Sequence, residues 1–216
     1  MRRLWAVVPV KDIDAAKQRL AGVLDANVRR ALALAMLEDV LDTLTGVREL
    51  QGIVVATADP RAAALAARFG AVVSRVDAAD GHSEAVAAAA HALAQDGAAM
   101  LTIPADIPLV QPDDIAQIIA AGKGAGSFVI VPARDGRGSN AVLCAPAAAV
   151  PLRFGGASFG PHLAVARARG LDPVTLDLPR IALDIDDGDD LAAFLAVKSR
   201  TRARLVLERE GAGAER

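Results

Sequence analysis

The feature that most constrains the fold is an alternation along the whole chain: short runs rich in β-branched residues separate longer segments of helical periodicity. The runs predict strands at residues 4–10, 52–57, 71–74, 98–103, 127–132, 140–145 and 174–178. The segments between them predict helices at residues 27–45, 60–69, 83–95, 112–121, 158–169 and 189–197, with Asn27 placed to cap the longest. Alternation of this kind indicates βαβ units around a mostly parallel sheet, and therefore an α/β fold.

Length and composition favour a single domain with a sizeable core. The chain has 216 residues, of which 53% are hydrophobic, and it shows no internal repeat and no linker that would divide it. We expect the domain to occupy residues 1–199. Residues 200–216 mix charged side chains with Gly and Ala, which predicts a flexible C-terminal tail.

Charge and cysteine content narrow the partners and the compartment. The net charge of -2 gives no general attraction to nucleic acid or to a membrane surface, so any anion-binding site must be local. No segment has the roughly 18 uninterrupted apolar residues of a membrane span. The first apolar run, residues 4–10, is short and lacks the cleavage site of a secretion signal. The single cysteine, Cys144, can form no internal disulfide, which fits a reducing cytoplasm.

One carboxylate stands directly after a predicted buried strand. Asp106 lies between Pro104 and Pro108, just beyond the apolar run at residues 98–103. Open α/β sheets bind ligands at the carboxyl ends of their strands, and the prolines restrict the backbone there. A carboxylate at this position suits a divalent cation that carries the phosphates of a nucleotide. The alternative is that Asp106 caps a turn or the helix that begins near Pro112.

A second group of carboxylates occupies residues 184–190. Acidic side chains packed this densely repel one another unless a cation or a helix N-terminus offsets their charge. The spacing does not fit an EF-hand loop. Two roles stay open: Asp189 and Asp190 can interact with the N-terminus of the following helix, while Asp184 or Asp186 can share a metal ion with Asp106.

Basic residues cluster after the first predicted strand. The chain has four lysines, and two of them, Lys11 and Lys17, lie here together with Arg19. This loop is a common phosphate site in nucleotide-binding sheets, so these side chains are candidates to neutralise a triphosphate. The alternative is a solvated basic turn. The known glycine-rich phosphate loops are absent, and the glycines at residues 122–126 predict a helix stop.

Taken in order, these motifs resemble one enzyme family. V-P-V-K at residues 8–11, A-K-x-R-L at 16–20, P-A-D-x-P-L at 104–109 and D-I-D-x-x-x-D-L at 184–191 are similar to motifs of the 2-phospho-L-lactate guanylyltransferases (CofC/FbiD type), relatives of the MobA-like nucleotidyltransferases. G-R-G-S-N at 136–140 is similar to that family's G-x-G-T-N, and R-F-G-G-A-S at 153–158, followed by His162, to its R-F-G-x-x-S. The resemblance implies a single-domain, three-layer, Rossmann-like nucleotide-diphospho-sugar transferase fold with a mostly parallel mixed sheet.

The resemblance also implies a reaction, which is transfer of GMP from GTP to a small phosphorylated carboxylic acid, with release of pyrophosphate, in deazaflavin coenzyme biosynthesis. Three acceptors stay open: 2-phospho-L-lactate, phosphoenolpyruvate and 3-phosphoglycerate. The attacking phosphate oxygen is already ionised near neutral pH, so the reaction needs no general base, and the sequence shows no obvious one. The catalytic candidates are Lys11, Lys17 and Asp106.

The remaining candidates are assigned to binding. The nucleotide-binding residues are expected to be Lys11, Lys17, Arg19, Ser83 and Asp106; the acceptor-binding residues Ser139, Asn140, Gly155 and Ser158; and the Mg²⁺ ligands Asp106 with Asp184 or Asp186.

The chain departs from the family pattern in two places. Gly81-His82-Ser83 stands where the family has G-L-N, and Ser139 replaces a threonine while keeping the hydroxyl. Two alternatives are a MobA-like enzyme with another phosphate acceptor and a non-catalytic nucleotide-binding protein. The first is disfavoured because no glycine-rich loop follows Val10, and the second because both acidic clusters are present. Exposed faces of Ala-rich helices are compatible with a homodimer.

Overall fold

The computed structural model describes residues 3–75, 81–122, 124 and 126–214. Within these ranges the chain forms one seven-stranded sheet, eight α-helices and a 3-10 helix at Gln18–Leu20. The strands are β1 (Leu4–Val10), β2 (Leu50–Thr57), β3 (Val72–Ser74), β4 (Ala99–Thr102), β5 (Ser127–Pro132), β6 (Ser139–Ala145) and β7 (Pro173–Thr175). The helices are α1 (Ala26–Thr45), α2 (Pro60–Arg68), α3 (His82–Gln95), α4 (Pro112–Ala121), α5 (Phe159–Ala168), α6 (Pro179–Ala182), α7 (Gly188–Ala196) and α8 (Arg202–Ala214).

The sheet is mixed and mostly parallel, as the sequence predicts. Its strand order is β3-β2-β1-β4-β6-β5-β7, and β6 runs antiparallel to both of its neighbours, whereas the other pairs are parallel. Val7 of β1 lies between Val54 of β2 and Thr102 of β4. Since β6 is reversed, its first residues lie at the same edge as the carboxyl ends of β1, β2 and β4. Four strands therefore supply side chains to one edge of the sheet.

Helices cover both faces of the sheet and produce three layers. Successive side chains of β1 point to opposite faces, so Ala6 and Val8 belong to one apolar cluster and Val7 to another. Helix α1 buries Leu37 and Leu41 in the first cluster, and α3 buries Val86 in the second. Burial on both faces explains why the central strands are continuous apolar runs. Cys144 lies fully buried in the second cluster, in agreement with its predicted place in the core.

The C-terminal segment differs from the predicted flexible tail. Residues Arg202–Ala214 form helix α8, which packs on α1. Asp39 of α1 accepts the backbone N–H groups of Arg202 at 2.8 Å and of Ala203 at 3.0 Å. Ala203 is itself buried in a third apolar cluster. The helix is ordered because a carboxylate 163 positions earlier satisfies its first turn, a contact that local composition does not encode.

Two local predictions also need correction. Asn27 does not cap α1; Asp25 does, because its carboxylate accepts the backbone N–H groups of Asn27 at 2.7 Å and of Val28 at 3.0 Å. The strand predicted at residues 174–178 is shorter, Pro173–Thr175, and the helical turn α6 that follows was not predicted. Searched over the described ranges, no helix is long and apolar enough to span a lipid bilayer.

Candidate active site

A large open cavity lies at the sheet edge where β1, β2 and β4 end and β6 begins. Its volume is about 1460 Å³, above the roughly 300–1,000 Å³ typical of a site for one small ligand. The cavity is therefore large enough for a nucleotide and a second small substrate together. The candidate residues that line it are Lys11, Lys17, Arg19, Asp106, Ser139, Asn140, Gly155, Ser158, Asp184 and Asp186.

Main-chain contacts bring the two acidic segments together. The backbone carbonyl of Asp106 accepts the N–H of Ile185 at 3.0 Å. The amide nitrogen of Asn140 donates to the backbone carbonyls of Ile181 and Ala182, at 2.9 and 3.1 Å, and to Oδ1 of Asp184 at 3.0 Å. The segment before α7 is thus anchored to the loop after β4 and to the start of β6. Segments almost 80 residues apart converge at one cavity, as the sequence interpretation requires.

Helix capping was the alternative role for both acidic segments, and the structure shows it in only one of the two described segments, the one at residues 184–190. Asp106 does not cap α4, because the carboxylate of Asp114 closes the N-terminus of that helix by accepting the N–H of Gln111 at 2.9 Å. In the second cluster, Asp187 caps α7 and Asp190 completes a capping box. Asp106 therefore caps none of the helices that the structure describes.

Lys17 lies between the two acidic segments. Its ammonium group donates to Oδ2 of Asp106 at 2.5 Å and to Oδ1 of Asp186 at 2.8 Å, and its side chain is only 9% exposed. Burial lowers the pKa of Lys17, but the charges and hydrogen bonds of Asp106 and Asp186 outweigh burial and raise it. The ammonium is therefore charged at any pH at which the protein works. Its backbone adopts a φ of 54°, the left-handed region.

The carboxylates at the cavity fit a divalent cation. Oδ1 of Asp106 is buried with no hydrogen-bond partner among the atoms described. Burial raises the pKa of Asp184 to about 6, and the charges of Asp106 and Asp186 add to the increase. Over the described chain, no group of three or more His, Cys, Asp or Glu side chains forms a ready metal cage. This donor set suits Mg²⁺, which is usually bound by one or two carboxylates together with the phosphates of a substrate.

Positive charge also surrounds the carboxylates. Burial raises the pKa of Asp186, but Lys17, Arg19 and Lys11 lower it, and the net direction is downward. Lys11 and Arg19 line the same cavity. Three cations within reach of one carboxylate create a local field that favours a polyanion, although the whole chain is nearly neutral.

The other side of the cavity contains serine hydroxyls and a glycine loop. Oγ of Ser158 donates to Oγ of Ser139 at 3.2 Å, and Nδ1 of His162 lies 3.0 Å from the same oxygen. Gly155 has a φ of 121°, which side-chain-bearing residues rarely adopt. The loop at residues 155–158 thus presents backbone and hydroxyl groups to the cavity at the start of α5.

Two predicted binding residues have different surroundings from those expected. The hydroxyl of Ser83 accepts the N–H of Phe154 at 2.8 Å and donates to its carbonyl at 3.3 Å, so it holds a loop rather than facing the cavity. The amide nitrogen of Asn140 is occupied by Asp184 and two carbonyls. Ser83 and Asn140 support the site; their predicted contacts with substrate have no free side-chain donor to make them.

Sequence reasoning missed two contributors, His82 and Asp59. His82 lines the cavity and its ring centroid lies 4.8 Å from that of Phe154. Burial lowers the pKa of His82 to about 4, while Asp106 raises it and Lys11 lowers it, so the ring is neutral. Asp59 accepts the N–H of Ile13 at 3.0 Å and thereby holds the loop after β1. The signal for His82 was its position in place of the leucine of the family's G-L-N.

Comparison with known proteins identifies the family. A family model described as "Guanylyl transferase CofC like" matches residues 4–212. The chain is 40% identical over 214 residues to a phosphoenolpyruvate guanylyltransferase of Roseiflexus sp. (strain RS-1), covering 97% of this chain and 94% of the relative. The chain belongs to the CofC-like guanylyltransferase family.

Two further comparisons agree with this assignment. A phosphoenolpyruvate guanylyltransferase of Rubrobacter xylanophilus is 36% identical over 194 residues, covering 89% of this chain and 94% of the relative. A solved structure described as a nucleotide-diphospho-sugar transferase, from Desulfovibrio desulfuricans G20, matches with a TM-score of 0.79 at 18% identity, covering 98% of this chain and 96% of that one. This likeness confirms the fold that the motif resemblance implies.

Proposed function

We propose that this protein transfers GMP from GTP to the phosphate group of a small phosphorylated carboxylic acid and releases pyrophosphate. The observation that carries the proposal is the convergence of Asp106 and Asp186 on Lys17 at the ligand-binding edge of the sheet. Phosphoenolpyruvate is the first acceptor to consider because the curated relatives carry its name. 2-Phospho-L-lactate and 3-phosphoglycerate have the same pairing of phosphate and carboxylate and are the other candidates. The family resemblance supports a role in deazaflavin coenzyme biosynthesis.

The reaction needs positioning and charge neutralisation rather than acid-base chemistry. An oxygen of the acceptor phosphate forms a bond to the α-phosphorus of GTP, and the bond from that phosphorus to the β-phosphate oxygen breaks. That nucleophile is ionised near neutral pH, so the neutral His82 and the buried Cys144 are not required as bases. The leaving pyrophosphate takes away the electron pair, and the cations of the site stabilise its developing charge.

The chain's own residues divide this work between them. Lys11, Lys17 and Arg19 bind the phosphates of GTP, because their charges lie at the edge where β1 ends. Asp106, with Asp184 or Asp186, would hold Mg²⁺, which would neutralise the charge of the nucleotide phosphates. Lys17 contacts Asp106 and Asp186 in this structure; with the cation and the triphosphate bound, a phosphate would replace these carboxylates as its anionic partner. The hydroxyl of Ser139 and the backbone N–H groups of Gly155 and Ser158 bind the acceptor from the opposite side.

A pyrophosphate-release assay tests the proposal. The wild type is mixed with GTP, Mg²⁺ and each of the three phosphorylated acids, and the same assay is run on Asp106→Asn. We expect release with at least one acid, and a loss of about 100-fold or more in Asp106→Asn because a metal ligand is removed. Asp113→Asn is the matched control, since Asp113 is an exposed carboxylate in the first turn of α4. Full activity in Asp106→Asn, or no release with any of the acids, overturns the proposal.

A further inference from the structure

His162 lies behind the serine side of the cavity and uses both of its ring nitrogens. The side chain is 2% exposed. Its Nε2 accepts the backbone N–H of Arg153 at 3.0 Å, and its Nδ1 lies 3.0 Å from Oγ of Ser139. A ring nitrogen that accepts an N–H carries no proton, so in the neutral ring the proton is on Nδ1. His162 must therefore donate to the hydroxyl of Ser139. Burial lowers the pKa of His162, in agreement with a neutral ring.

The hydrogen bonds of the Ser139 hydroxyl determine whether it can donate to a ligand or accept from one. A serine hydroxyl offers two acceptor lone pairs and one donor proton. The lone pairs of Ser139 are taken by Nδ1 of His162 and by the hydroxyl of Ser158, which donates at 3.2 Å. Only the proton of Ser139 remains for a ligand, and Ser139 lines the cavity. A hydroxyl that can only donate favours an oxygen that can only accept, which describes a carboxylate or an ionised phosphate.

The same histidine also anchors the neighbouring loop. Its contact with the N–H of Arg153 fixes the main chain two residues before Gly155. The ring of Phe154 packs edge-on against it, with centroids 5.2 Å apart. One buried ring thus connects the hydroxyl of Ser139 with the glycine loop, although His162 itself is not among the residues that line the cavity.

We infer that His162 is a positioning residue that holds Ser139 as an obligate hydrogen-bond donor to an anionic oxygen of the acceptor substrate. The inference rests on the proposed function, because it assigns selectivity to the acceptor side of that same cavity. GTP binds at the basic side, so the effect of His162 falls on the acceptor alone.

Two conservative variants separate the two contacts of the ring. In His162→Asn the shorter amide can reach the position of Nδ1 and keep the donor to Ser139, but it leaves the Arg153 N–H without a partner. In His162→Gln the longer amide can reach the position of Nε2 and keep the loop contact, but the donor to Ser139 is lost. The exposed His91 of α3 provides the control variant His91→Gln.

Steady-state kinetics with the acceptor and GTP varied in turn test the inference. We expect His162→Gln to raise the KM of the acceptor about 10- to 100-fold, as befits a lost hydrogen bond to a charged group, with the KM of GTP unchanged. His162→Asn should raise it clearly less, and Ser139→Ala should match His162→Gln. In the Ser139→Ala background His162→Gln should raise the acceptor KM no further, because its effect acts through that hydroxyl.

The outcomes distinguish the two proposals. Equal effects of the Asn and Gln variants in the presence of Ser139, or equal changes in the KM of acceptor and GTP, overturn the role of His162 while leaving the guanylyl transfer intact. If either variant fails to fold, as thermal unfolding will show, Ser139→Ala decides: an unchanged acceptor KM overturns the inference. A wild type that transfers no GMP to any of the acids overturns the proposed function, and this inference with it.

Discussion

Replacing Lys17 by Met removes the ammonium that contacts both Asp106 and Asp186 while keeping the length of the side chain. The backbone strain at a φ of 54° is the same in both proteins and cancels from the comparison. The Lys17–Asp106 pair is 9% and 25% exposed, and breaking a buried pair from one side costs about 3–5 kcal/mol. Partial exposure reduces that cost, and Asp186, at 46% exposed, adds at most about 1 kcal/mol.

The expected loss of stability is therefore about 2–4 kcal/mol. For a chain of this length, that corresponds to a fall in Tm of about 4–16 °C. Thermal unfolding followed by circular dichroism measures the fall, and Lys198→Met is the control because Lys198 is exposed. The control should stay within about 0.5 kcal/mol of the wild type.

A second readout links the same lysine to cation binding. Without the ammonium, the carboxylates of Asp106 and Asp186 have unbalanced charge, so Mn²⁺ without nucleotide should raise the Tm of Lys17→Met more than that of the wild type. An unchanged Tm in Lys17→Met, together with an equal response of both proteins to Mn²⁺, would refute the idea that this lysine balances a cation site.

Three further predictions follow from single contacts. Gly155→Ala forces a side chain onto a φ of 121°, at a strain of about 1–3 kcal/mol. Steady-state kinetics should show a higher KM for the acceptor and an unchanged KM for GTP. Equal changes in both KM values would contradict the assignment of Gly155 to the acceptor. Burial raises the pKa of Asp59, but hydrogen bonds from Arg61 and from backbone N–H groups lower it to about 2. The ionised carboxylate therefore stabilises the folded state fully above the pKa of the unfolded chain, which is about 4. The difference in free energy of unfolding between the wild type and Asp59→Asn should therefore decrease as pH falls from about 4 towards 2. Denaturant titrations that give the same difference at every pH would contradict this. Asp39→Ala leaves two N–H groups of α8 without partners and should cost about 1–2 kcal/mol; hydrogen exchange should quicken at Arg202 and Ala203, and unchanged exchange there would exclude the capping role.

The strands of the sheet could be predicted from the sequence because the central strands are buried on both faces. Runs such as residues 4–10 and 127–132 match the observed strands, since a strand covered by helices on two sides must be apolar throughout. Helix α8 could not be predicted in this way, because its first turn depends on a contact with Asp39 in α1. Composition reports the polar outer face of such a helix and not the surface on which it packs.

The acidic residues of the candidate site could be predicted from the sequence. Asp106 stands out because it follows an apolar strand, and the acidic pair at residues 184–186 stands out because it belongs to a dense run of carboxylates. The pairing of Lys17 with two of them depends on a backbone contact between Asp106 and Ile185, which no local pattern shows. His162 was noticed only as a residue following a motif, since a buried histidine in a helix usually serves the core.

The most direct test of the account is analysis of the products made from GTP and an acceptor whose phosphate oxygens are labelled with ¹⁸O. With phosphoenolpyruvate, and then with the other two acids, mass spectrometry should find one unlabelled pyrophosphate for each molecule in which the labelled phosphate is joined to GMP. Formation of GDP, or transfer of label to pyrophosphate, would contradict attack by the acceptor phosphate on the α-phosphorus of GTP.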